Sequence, residues 1–94
     1  MTEHNIARRE LSDCLRSVTK GEIVAILATR PNHGGMVHHV GFYQGIINDN
    51  AVLSSEIVNA RSGYVTTQVP LGHIQQFSVH PRIEAGSIYY DVKD

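Results

Sequence analysis

The chain has little of several things, and each shortage excludes something. Its 94 residues include one cysteine, three prolines and no tryptophan. A lone Cys14 excludes an internal disulfide, which suits a reducing compartment. No apolar run approaches the roughly 18 residues of a membrane-spanning helix. The opening Met1-Thr-Glu-His-Asn5 has neither the basic nor the apolar segment of a secretory signal. A cytoplasmic protein without membrane contact is expected. Charge of one sign is also missing, because eight Lys and Arg stand against nine Asp and Glu. Nothing in that balance demands a polyanionic partner, although a local basic patch remains compatible with it. The chain shows no internal repeat, low-complexity segment or linker, so one domain over residues 1–94 is expected.

What is present is a helix followed by a series of β-rich runs. Ala7, Leu11, Cys14, Leu15 and Val18 share one face of a helix spanning about Asn5–Lys20. Gly21 supplies a stop free to adopt positive φ. Cys14 falls within the apolar stripe and is read as a core residue. From Gly21 to Pro81 the runs Glu22–Thr29, Val40–Ile47, Ala51–Val58, Tyr64–Val69 and Ile74–Val79 are rich in β-branched and aromatic residues. Gly, Asn, Asp and Pro separate them, the pattern of consecutive antiparallel strands. The first run, nearly continuous in apolar residues, is expected to be covered on both faces. Asn48-Asp49-Asn50 tolerates positive φ and predicts a tight hairpin turn. Gly41 and Gly45 interrupt the second run, as a hard bend requires. The expected fold is mainly β with an N-terminal helix, the strands curling into a small, strongly bent, five-stranded antiparallel barrel of Sm-like or SH3-like type. Residues 82–94 form a tail with a further candidate strand over Ser87–Val92.

Helix-then-five-strands is the layout that resembles the Sm-like family, including its bacterial RNA-chaperone branch. Two segments carry the resemblance. Tyr43-Gln-Gly-Ile-Ile47 is similar to the family's bent second strand. Val69-Pro-Leu-Gly-His-Ile74 with Phe77-Ser-Val79 is similar to its turn between the fourth and fifth strands. The resemblance implies a ring, usually of six or seven subunits, joined by pairing the fourth strand of one subunit with the fifth of the next. It also implies RNA bound around the pore, and it carries over to His73. The chain departs from the family pattern elsewhere. Asn48-Asp49-Asn50 is shorter than the family's loop and lacks its aromatic, and Gly72-His73 lacks the companion cation.

The chemistry-bearing residues admit three classes of function. For nucleic acid, Arg8, Arg9, Arg16 and Lys20 on the helix and Arg30, Arg61 and Arg82 in loops can meet phosphates. Tyr43 or Tyr64 can stack on a base, and His73, Asn48 and Asp49 complete the candidate RNA surface. The alternative is a protein-interaction barrel with no nucleic-acid role, which the near-zero charge suits. A third class is a His-rich metal module drawn from His33, His38 and His39, in which His33 and His38 converge across the Gly-rich loop and Asp49 or His73 completes the site. No recognised metal-ligand spacing supports it, so no metal and no cofactor are expected. Ser54, Ser55 and Ser62 lack a nucleophile elbow and the carboxylates are unpaired in spacing, so an enzyme is not expected. Partners are therefore the chain itself, as a hexamer or heptamer in the family's manner, and RNA.

Overall fold

Alternation in Ile23-Val-Ala-Ile-Leu-Ala-Thr29 puts Val24, Ile26 and Ala28 on one side of a strand, and all three are fully buried. A computed structural model describes residues 2–59, 63–83 and 86–94. It contains strands β1 (Thr2–Ala7), β2 (Ile23–Thr29), β3 (Met36–Ile47), β4 (Asn50–Asn59), β5 (Gly63–Pro70), β6 (Ile74–His80) and β7 (Ile88–Lys93). A 3₁₀ turn at Arg8–Glu10 leads into helix α1 (Leu11–Arg16), and a second 3₁₀ turn at Leu71–His73 joins β5 to β6. The strands form one sheet in the order β1-β7-β6-β2-β3-β4-β5.

The helix and the five expected runs are present, but the architecture departs from a five-stranded barrel. The sheet has seven strands, and β1 and β5 end it without pairing to each other. The added pair comes from the chain ends. The tail supplies β7, antiparallel to β6, and residues expected to begin the helix instead supply β1, parallel to β7 with Ile6 opposite Val92. Ile6 and Val92 both enter the core, and a sequence-distant partner overrides local helical periodicity there. The helix is correspondingly shorter, yet Leu11 and Leu15 are its buried residues and Cys14 and Val18 pack against the core as the stripe predicts. Among the described residues, no helix is long and apolar enough to cross a membrane.

β6 is hydrogen-bonded to β2 on one side and β7 on the other. A fifth strand with a free edge is therefore not what this fold presents, whereas β5 keeps an open edge. β2 is not covered on both faces either. Its second face carries half-buried Ala25 and Leu27 beside Val40 of β3, which is 67% exposed.

The bend is where the sequence places it. The β3–β4 register shifts between Tyr43 and Ile46, and Gly45 sits in the shift at φ 101°. Gly41 answers a different need: a Cβ there would lie 2.6 Å from the Ser54 carbonyl oxygen on β4. The turn at Asn48 and Asp49 has both residues at positive φ, 51° and 60°, the conformation of a two-residue hairpin connection.

Gly41→Ala and Gly45→Val should each destabilise the protein by about 1–3 kcal/mol, the first by crowding β4 and the second by forcing a branched residue into positive φ. Gly72→Ala, where a Cβ meets nothing within 4 Å, should be close to neutral. Urea unfolding of the three variants checks the order.

Candidate nucleic-acid interface

The hairpin turn and the second 3₁₀ turn meet. Asn50 pairs with Pro70 in the β4–β5 ladder, and the Leu71 amide donates to the Asp49 carbonyl at 3.1 Å. Asn48, Asp49 and the segment ending in His73 thus form one rim of the molecule. Asn48 and Asp49 are exposed there and His73 is half-buried. The His73 carbonyl accepts from the Thr29 hydroxyl at 3.4 Å and the Gln75 amide at 3.3 Å, which fixes the backbone while leaving the imidazole uncommitted.

Arg8 reaches the same turn from behind. Its Nη1 donates to the carbonyls of Leu71, Gly72 and Ile74 at 3.4, 3.1 and 3.0 Å, while Nε pairs with Asp94. A guanidinium consumed by carbonyls and a carboxylate is a brace, not a phosphate contact. The expectation for Arg8 is corrected accordingly. Arg9 is exposed. Arg61 lies outside the described residues, as does the side chain of Tyr64.

Tyr43 also differs from its expected role. Its ring is 1% exposed and its hydroxyl donates to the Leu15 carbonyl at 2.6 Å, so it is a core residue and not a surface for base stacking. Strand alternation explains this: Gly41 lies opposite buried Val24, so Tyr43 two residues on faces the core, and the register shift at Gly45 then turns Ile46 to the same side. Burial pushes the Tyr43 phenol above its ordinary range, against a smaller lowering by Arg16. The Cys14 thiol is likewise pushed up, first by burial and then by Glu10 and Asp13, which keeps it protonated rather than nucleophilic.

The histidines divide between the two faces. His38 and His39 oppose Leu27 and Ile26 respectively, and neighbours on a strand point apart. His38 lines a groove with Tyr89 and Gln76. His39 instead joins His33, His73 and Arg30 around a depression at the open end of the sheet. Sequence reasoning paired His33 with His38. The two-residue period from Val37 to His39 was the signal that selects the other neighbour, since Val37 lines the same depression. Among the described residues, no three His, Cys, Asp or Glu side chains converge as metal ligands. His80 is taken up by structure: its Nε2 lies 3.0 Å from the Ser78 hydroxyl and its Nδ1 2.8 Å from that of Ser87, linking β6 to the approach to β7. Arg82 stacks over Phe42 at 4.8 Å.

No protein family, curated protein or solved structure matches this chain.

Tyr43→Phe should cost about 1–3 kcal/mol at neutral pH, because a buried carbonyl loses its donor. The unfolded phenol ionises near pH 10 and the folded one only above that, so the unfolded state sheds its proton first and stability falls as pH rises through this window. Tyr90, also raised by burial, adds to the same fall. Tyr43→Phe should therefore shrink the alkaline loss without abolishing it, as read from thermal melts between pH 8 and 11.

Proposed function

We propose that the protein is a non-catalytic, homo-oligomeric β protein of Sm-like type that binds single-stranded RNA at the rim formed by Asn48, Asp49 and His73. One observation carries this: the Leu71–Asp49 hydrogen bond joins the two turns that the family resemblance singles out. The exposed Asn48 and Asp49 and the half-buried His73 imidazole offer donors and acceptors to unstacked base edges, and Arg9, next in sequence to the Arg8 that braces the turn, is an exposed cation. The bent strand at Gly45 and the short turn ahead of β6 support the Sm-like assignment. Assembly through β6 in the family's manner requires β7 to leave it, while β5 offers its edge directly.

A second reading, a protein-interaction module, is favoured by the sheet face that displays Val40 and Met36, 67% and 55% exposed. Salt separates the two. Oligo-U or oligo-A should bind at low ionic strength and weaken steeply as salt rises. His73→Ala should reduce that affinity about tenfold with unchanged folding, and light scattering should give a mass well above one chain. Absence of RNA binding at low salt favours the interaction module, and a single-chain mass removes the oligomer.

A further inference from the structure

The depression at the open end of the sheet gathers side chains that packing does not explain. Arg30 and His33 from the β2–β3 loop, His39 from β3 and His73 from the second 3₁₀ turn surround about 270 Å³. These are three of the chain's six histidines and one arginine, drawn from three separate segments, and no carboxylate lines the space with them. Among the described residues, none of the four side chains is taken up by a hydrogen bond or ion pair, unlike Arg8 and His80. The floor is apolar, with Val69 fully buried and Val37 half-buried.

That combination selects its ligand by chemistry. A guanidinium and imidazole N–H groups, undiluted by carboxylates, favour a tetrahedral oxyanion, which a planar guanidinium grips through two parallel hydrogen bonds. The imidazoles do not converge on one point as metal ligands must. A bare inorganic anion has no use for a floor of valines, whereas an anion with a flat, weakly polar body does. The volume lies at the small end of small-molecule sites.

We propose that this depression binds a nucleoside monophosphate, its phosphate held by Arg30 with the imidazoles of His33, His39 and His73 and its base resting on Val37. The nucleotide character of the ligand rests on the RNA reading above. The pocket itself is distinct from the Asn48–Asp49 rim and shares only His73 with it.

Titration of the whole chain with adenosine and uridine 5′-monophosphate, the matching nucleosides and inorganic phosphate, followed by amide NMR shifts, tests this. The monophosphates should bind at least tenfold tighter than either the nucleosides or inorganic phosphate, with shifts at residues 30–39 and 73. Arg30→Gln and His39→Gln should each weaken binding about tenfold with unchanged circular dichroism, and His38→Gln, on the opposite face, should leave it unchanged. Absence of monophosphate binding overturns the inference, as does binding that survives Arg30→Gln. Inorganic phosphate binding as tightly as the nucleotides overturns it too. RNA binding that depends on Asn48 and Asp49 but comes without monophosphate binding sinks this site and spares the RNA rim. Monophosphate binding without any RNA binding spares the site and sinks the rim.

Discussion

The hydroxyl of Tyr43 reaches the Leu15 carbonyl at the end of α1, and the backbone of the same residue pairs with the entry to β2. Its carbonyl accepts from Gly21 at 2.8 Å and its amide donates to Glu22 at 2.9 Å. One residue thus joins α1, the entry to β2 and the bent strand β3. A buried phenol is tolerated only with its proton placed on a partner. Leu15 is therefore held where it fills the core, and β3 must make its register shift just beyond, at Gly45. The hairpin turn at Asn48 and Asp49 follows from where that shift leaves the strand. The rim against Leu71 follows from the turn.

Much of the β scaffold was legible because its signals are local. Alternation, β-branched residues and turn chemistry located β2 to β6, and Asn48-Asp49 declared its positive φ outright. The helical stripe from Leu11 to Val18 was read correctly for the same reason. The stretch Thr2–Ala7 was not, because its β conformation depends on hydrogen bonds to residues more than 80 positions away. Sheet closure was equally invisible. Whether a curled sheet closes on itself or accepts further strands depends on what reaches its edge, and β7 reaches β6 first.

The candidate site was legible as a list but not as an arrangement. His73, Asn48 and Asp49 were named from their turns, and the structure brings those turns together. Tyr43 and Arg8 were chosen for chemical type, and both prove to be internal fastenings, because a type says nothing about which partner claims it. The pairing of His39 with His33, in place of His38, turns on a single step of strand alternation, the kind of error a one-residue shift always produces. Arg30 was legible only as one loop cation among several, and the structure sets it beside His33, His39 and His73.

The pairing of β1 with β7 also bears on how the molecule comes to exist. During synthesis β1 emerges first among these strands and β7 last, so β1 must wait, unpaired, while the rest of the sheet is made. Loop closure over nearly the whole chain is entropically costly and tends to be slow. For that interval β6 shows a bare edge, and nascent chains made side by side meet before the fold that separates them is finished. The order in which strands arrive then helps to decide whether neighbours remain apart or become entangled.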